Sequence, residues 1–270
     1  MNSKITKKLL LGNEALAQGA IDAGISGVYA YPGTPSTEIT EYIQRSKTAQ
    51  ELKIHSQWSV NEKTAMEAAL GMSYAGKRVI TVMKHVGLNV AADVFMNMSV
   101  AGINGGLVVV VADDPSMHSS QNEQDSRFYG KFAMIPILEP SNQQECYEIT
   151  KYAFDLSEKL SLPVLIRMVT RLSHSRAGVI TRDRELQNSI HLPKNPKQFQ
   201  LIPMHARGRY KHLVDIQVDI LENSENSYFN EFIQGPNTSI GIIASGIAYN
   251  YLMENFEDDK CPYPILKISQ

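Results

Sequence analysis

The sequence predicts an α/β fold built on a mostly parallel sheet with helices on both faces. Three observations carry that prediction. Short β-branched runs alternate with amphipathic helical stretches through the first half of the chain. The run from Leu107 to Ala112 is apolar at every position, as a central parallel strand covered on both faces must be. Glycine and proline fall just after the predicted strands, where open α/β sheets place their ligand loops.

The elements follow in order. Residues 12–23 carry Ala15, Leu16, Gly19, Ala20 and Ala23 at helical spacing, and Gly24 is expected to end that helix in the left-handed conformation. A strand at 27–31 is broken by Pro32-Gly33-Thr34-Pro35-Ser36, where Thr34 or Ser36 can cap the helix running through Ile43. An extended run ending near Trp58 precedes a helix at 59–76, whose face of Ala65, Ala68, Ala69, Met72 and Ala75 allows close packing on the sheet. A strand at 78–83, a turn at 85–89 and a helix through Met98 come next.

Residues 113–127 are polar and contain Pro115, so they are expected to form a long functional loop that is poorly ordered by itself. A strand near 135–138, a helix at 143–160 and a strand at 163–168 complete a first domain, residues 1–176. Charge density then rises and strand patterns vanish, which makes 177–237 a linker with helical stretches, one at roughly 211–221. Residues 238–270 hold a strand at 239–245, a helix at 246–256 and a strand at 263–268, the start of a second α/β domain. A lone βαβ unit cannot bury both faces of its sheet, so the chain is expected to be truncated or completed by another polypeptide. There is no internal repeat.

With 270 residues, 43% of them hydrophobic, the chain can bury one full α/β core and begin another. Its net charge of -2 comes from scattered side chains, leaving no basic face on which nucleic acid could release counterions. The longest apolar stretch, 106–112, is far short of the ~20 residues that cross a bilayer. No apolar signal core follows Met1-Asn2-Ser3-Lys4, so a cytoplasmic location is expected. The two cysteines, Cys146 and Cys261, form no CxxC pair, so an iron–sulfur cluster must sit outside this chain.

Glu62 stands at the start of a helix beside the predicted ligand rim. Ser59-x-x-Glu62 also spells a capping box, in which Glu62 merely reaches back to the Ser59 backbone N–H. Local sequence leaves both roles open.

Four runs go further: Tyr31-Pro32-Gly33-Thr34-Pro35-Ser36; Asn61-Glu62-Lys63 through Ala75-Gly76; Met83-Lys84-His85-Val86-Gly87-Leu88-Asn89; and Ala112-Asp113-Asp114-Pro115 with His118-Ser119-Ser120-Gln121 and Glu123-Gln124-Asp125. In order and spacing the chain resembles the α subunit of indolepyruvate ferredoxin oxidoreductases, closely over residues 8–176 and loosely over 238–268. Gly241-Ile242-Ile243-Ala244-Ser245-Gly246 with Ala248-Tyr249-Asn250 resembles that family's next domain.

The resemblance implies a thiamine-diphosphate-binding fold in which residues 1–176 form the pyrimidine-binding side. It implies an enzyme that oxidatively decarboxylates indolepyruvate or another aryl pyruvate to an acyl-CoA, passing the electrons to ferredoxin. Glu62 then matches the glutamate that hydrogen-bonds pyrimidine N1′, where a carboxylic acid favours the imino tautomer whose N4′ takes the thiazolium C2 proton. Thr34 matches a hydroxyl that contacts the 2-oxoacid, although a threonine between two prolines also serves as a turn or cap residue. His85 is a candidate to orient substrate or cofactor, or else an ordinary loop hydrogen-bonder. Pro32, Gly33, Gly87 and Asn89 are the implied cofactor contacts, with Gly87 letting the backbone approach the ring.

The sequence also departs from the pattern. Pyruvate-specific relatives place an arginine just after the central strand to clamp the substrate carboxylate. Here Asp113 and Asp114 stand in its place, so that role moves to Lys84, Arg127 or His118, or the substrate is bulkier. No Gly-Asp-Gly with a downstream asparagine is present, so the ligands of Mg²⁺ and diphosphate are expected outside this chain, in a partner subunit or a missing C-terminal half. Coenzyme A, [4Fe–4S] clusters, ferredoxin and a homo- or hetero-oligomeric assembly belong to the implied complete enzyme. The alternatives are a relative acting on branched-chain 2-oxoacids or 2-oxoglutarate, and a non-catalytic binding or assembly module of the same fold.

Overall fold

The computed structural model describes residues 6–256 and 260–270, so the Met1–Lys4 reading lies outside the described residues. The chain runs β1 (Thr6–Leu11), α1 (Gly12–Asp22), β2 (Gly27–Ala30), α2 (Thr37–Arg45), α3 (Lys47–Glu51), β3 (His55–Trp58), α4 (Glu62–Tyr74), β4 (Val79–Lys84) and α5 (His85–Ala101). It continues through β5 (Leu107–Asp113), α6 (Arg127–Ala133), β6 (Ile137–Leu138), α7 (Gln143–Leu160), β7 (Val164–Val169), α8 (Thr170–His174) and β8 (Arg176–Thr181). After α9 (Pro203–Asp215) and α10 (Gln217–Glu225) come β9 (Glu231–Ile233), β10 (Ile242–Ser245), α11 (Ile247–Met253) and β11 (Ile265–Ile268).

Six strands form one parallel sheet in the order β3-β2-β4-β5-β7-β6. Side chains alternate across it, so β5 splits its apolar run between two cores. Val108, Val110 and Ala112 face a cluster with residues of α1, α2 and α7, whereas Leu107, Val109 and Val111 face one with α4 and α5. Helices therefore cover both faces, as the all-apolar β5 requires. Gly24 ends α1 at φ +74, the predicted left-handed stop.

Several local readings are corrected. The segment read as a turn at 85–89 is the first turn of α5, because Gly87 and Asn89 are tolerated in a helix whose apolar face is already buried. Helix α4 begins at Glu62 rather than Ser59, and its N-cap is Asn61, whose Oδ1 accepts the Thr64 N–H at 2.9 Å. The Ser59 N–H donates to the Ala30 carbonyl at 2.8 Å and its hydroxyl has no hydrogen-bond partner among the described residues, so the Ser59–Glu62 capping box does not form. Neither Thr34 nor Ser36 caps α2 with its side chain; the Ser36 hydroxyl donates back to the Gly33 carbonyl at 2.7 Å.

The span read as a linker begins as part of the first core. β8 pairs antiparallel with β1, far from it in the chain, from Leu11↔Arg176 to Thr6↔Thr181. The segment after it is strapped to the N-terminal end of β4 by Arg78, buried and hydrogen-bonded to Asp155, Glu158 and Glu185 and to the Ala23 carbonyl. Farther on, β10 and β11 pair parallel and β9 joins β11 antiparallel. This three-stranded unit docks on the first through the Lys267–Glu145 ion pair, Asn250 Nδ2 donating to the Ser141 carbonyl at 2.6 Å, and the Glu139 N–H donating to the Ser269 carbonyl at 2.8 Å. Ile243 on β10 stays 71% exposed.

Candidate functional site

Parallel strands aim their C-terminal ends at one rim, and the residues leaving those strands converge there. The exit of β2 supplies Tyr31, Pro32 and Gly33, and the last residue of β4 supplies Lys84. Glu62 opens α4, Val86 and Val90 lie one turn apart on α5, and Gln121 and Asn122 reach in from the loop 114–126. Together they line an open cleft of about 500 Å³.

Glu62 is 8% exposed, and its carboxylate makes no hydrogen bond or ion pair among the described residues. A buried carboxylate without a partner is costly unless a ligand completes it. Its position is set by Gly87: a Cβ there would lie 2.4 Å from Glu62 Oε1 and 2.6 Å from its Cγ, closer than any real contact. The first turn of α5 thus presents bare backbone to the carboxyl group, and both face the cleft.

The other predicted residues separate into those that line the cleft and those around it. Pro32 and Gly33 line it, and a Cβ on Gly33 would stand 2.9 Å from Lys84 Cδ, so the lysine stem runs along that glycine. Thr34, next in the chain to Gly33, is exposed and does not line the cleft. His85 is 1% exposed; its Nε2 donates to the Asn122 carbonyl at 2.9 Å, which ties the loop to α5, and its Nδ1 has no partner among the described residues. Asn89 is turned outward and accepts from the Tyr129 hydroxyl at 2.6 Å.

Asp113 and Asp114 hold the loop rather than the cleft. Asp113, fully buried, accepts from Arg167 Nε at 2.6 Å and from the Ser126 N–H at 3.1 Å. Burial pushes its carboxyl up from the ordinary value, against the opposing charge of Arg167. Asp114 accepts from the Thr170 hydroxyl and the Ser119 N–H, both at 2.7 Å; burial pushes it up, yet these bonds hold it below the usual carboxylate range. The loop is pinned again where the Ser116 N–H donates to Glu123 at 3.0 Å. Arg127 is engaged by Asp125 and Glu139 and lines no part of the cleft, and His118 is exposed outside it.

Tyr31, Val86, Val90 and Asn122 were not singled out from sequence. Val86 and Val90 are legible once α5 is known to begin at His85, since they recur at helical spacing. Among the described residues no group of three or more His, Cys, Asp or Glu side chains is arranged to hold a metal, and no helix is long and apolar enough to cross a membrane.

The family model described as pyruvate flavodoxin/ferredoxin oxidoreductase, thiamine diphosphate-binding, matches residues 18–234. The chain is 47% identical to the indolepyruvate oxidoreductase subunit IorA of Pyrococcus abyssi, over 91% of this chain and 39% of that protein. It is 43% identical to IorA of Archaeoglobus fulgidus, over 97% of this chain and 43% of the relative. It thus spans about two fifths of the length of these relatives. A 2-oxoglutarate:ferredoxin oxidoreductase from Magnetococcus marinus, solved with 2-oxoglutarate, coenzyme A and succinyl-CoA bound, superposes with a TM-score of 0.75 at 18% identity, covering 97% of this chain and 54% of its own. That likeness shows the fold.

Proposed function

Because the chain belongs to the pyruvate flavodoxin/ferredoxin oxidoreductase family of thiamine-diphosphate-binding domains, we propose that it supplies the aminopyrimidine-activating side of a 2-oxoacid:ferredoxin oxidoreductase. The substrate in this reading is indolepyruvate or another aryl pyruvate. The product is an acyl-CoA, and the electrons pass through [4Fe–4S] clusters to ferredoxin. One observation carries the proposal: a buried glutamate, Glu62, lines an open cleft with no partner for its carboxylate among the described residues and with a bare glycine against it.

Those residues fit the pyrimidine of thiamine diphosphate. The cofactor supplies a nucleophilic carbon and an electron sink for decarboxylation. Everything else this chain contributes is positioning and proton handling. Glu62 holds a proton on its carboxyl oxygen for the pyrimidine ring nitrogen, and Gly87 lets backbone and carboxyl share one face of the ring. Pro32 and Gly33 form the wall opposite α5, and Thr34 at the rim offers its hydroxyl to the incoming oxoacid. His85 orients the loop 114–126 through Asn122, and Asn89 steadies the outer face of α5 through Tyr129. Mg²⁺ and the diphosphate are held by residues beyond this chain, in a further segment or a partner subunit, and the assembled enzyme works in the cytoplasm.

The apolar wall of Tyr31, Val86 and Val90 favours an aryl side chain over the second carboxylate of 2-oxoglutarate. A panel of 2-oxoacids assayed with the assembled enzyme and ferredoxin tests this. Indolepyruvate or phenylpyruvate should give the highest kcat/KM. A clear preference for 2-oxoglutarate or a branched-chain 2-oxoacid would overturn the substrate assignment.

A further inference from the structure

We propose that Lys84 is the cation that binds the 2-oxoacid's carboxylate and couples that binding to the loop 114–126. The proposal rests on the cleft being the cofactor and substrate site. Lys84 lines the same cleft as Glu62, yet forms no ion pair with it or with any other described carboxylate. Its one hydrogen bond among the described residues goes to a neutral acceptor, the Ser119 carbonyl, at 2.8 Å. An ammonium has three donors, so two remain for a ligand while the first keeps the loop.

The stem is fixed as well. Gly33 leaves room for the methylene chain, whose Cδ a Cβ there would meet at 2.9 Å, and the ammonium beyond it reaches the Ser119 carbonyl. Gln121 and Asn122, on the segment that Lys84 anchors, carry amides able to donate to the same anion. The competing cations are occupied. Arg167 is bonded to Asp113 and Glu139, each at 2.6 Å, and Arg127 to Asp125 at 2.6 Å. An anion entering the cleft therefore meets Lys84 as its uncompensated positive charge among the described residues.

The same chemistry would suit the cofactor's diphosphate, and the test separates the two. In the assembled enzyme, Lys84→Met and Lys84→Gln should raise the KM for the 2-oxoacid by about 10- to 100-fold, the range of a lost charge-assisted hydrogen bond. The Kd for thiamine diphosphate and the C2 hydrogen–deuterium exchange of bound cofactor should stay at wild-type values. Lys84→Arg, which keeps charge and donors, should recover most of the loss. In the 270-residue chain, phenylpyruvate should slow amide exchange at residues 119–122, and Lys84→Met should abolish that response.

An unchanged KM in both neutral variants overturns the proposal. So does a weaker Kd for thiamine diphosphate with unchanged KM, which would give Lys84 to the diphosphate. Failure of Lys84→Arg to recover would reduce the lysine to a loop tie. If instead Glu62→Gln leaves C2 exchange untouched, the cofactor reading itself fails, whatever the lysine variants do.

Discussion

Substituting Gly87 separates the two roles that a residue beside Glu62 can have, folding and chemistry. Its added methyl would begin 2.4 Å from Glu62 Oε1, 2.6 Å from Cγ and 2.8 Å from Cδ, where ordinary contact starts at 3.4 Å. The glutamate must therefore yield by about 1 Å, a displacement that can cost about 100-fold in rate when it falls on a catalytic group. Stability moves much less. Alanine is favoured over glycine inside a helix by about 1 kcal/mol, and overpacking costs about 1–3 kcal/mol. Glu62 can relieve the clash by swinging into the open cleft, which keeps that cost at its low end. The net change of about 1 kcal/mol or less corresponds to a Tm shift of about 2–4 °C or less. The assay is C2 hydrogen–deuterium exchange of bound thiamine diphosphate in the assembled enzyme, read beside thermal melting of Gly87→Ala. A slowed exchange with a near-native melt is expected. Wild-type exchange would refute the claim that Gly87 sets the position of Glu62, and a collapse in Tm would show that the pair is structural.

Two further outcomes follow from the framework around the cleft. Arg78→Met should lower stability by about 2 kcal/mol, less than a fully buried ion pair costs because the orphaned carboxylates are partly exposed and can rehydrate; thermal melting checks it. The same network makes stability depend on pH. Burial pushes the Glu158 carboxyl up, but Arg78 and Asn188 outweigh it and hold the group below its ordinary 4.5, so its contribution is complete above about pH 4.5 and is lost on acidification through the lower folded value; Arg78→Met should flatten that acid limb. Within the loop, amide exchange should be slow at Ser119 and Ser126, whose N–H groups donate to Asp114 and Asp113, and fast at the exposed Gln121, whose N–H makes no hydrogen bond among the described residues; Asp113→Asn should speed exchange at Ser126 severalfold.

The parallel sheet was legible because burial on both faces leaves a plain signature, as in β5, and α7 because its helical run is long; the structure adds the Asn142 cap, whose side chain accepts the Glu145 N–H at 2.9 Å. β1 and β8 were not, since Thr6–Leu11 and Arg176–Thr181 have meaning only as a pair and nothing local announces a partner so distant in sequence. Helix α6 was hidden for another reason: Phe128 and Phe132 are 73% and 76% exposed, so it lacks the polar outer face by which a surface helix is recognised. At the site, resemblance pointed to Glu62 and Gly33, which line one cleft, and to Gly87, which packs against Glu62. The anchoring roles of Asp113, Asp114 and His85 could not be read, because each depends on where the loop 114–126 folds back.

The central claim is that Glu62 is held as a proton-bearing group for a bound aminopyrimidine rather than as a helix cap. The most direct test is C2 hydrogen–deuterium exchange of thiamine diphosphate on the assembled enzyme, wild type against Glu62→Gln. Glutamine preserves length and hydrogen bonding, and Asn61 already caps α4, so folding should be nearly unchanged. The amide cannot give the ring nitrogen a proton, so exchange should slow by orders of magnitude. Exchange and turnover at wild-type rates in Glu62→Gln would contradict the account.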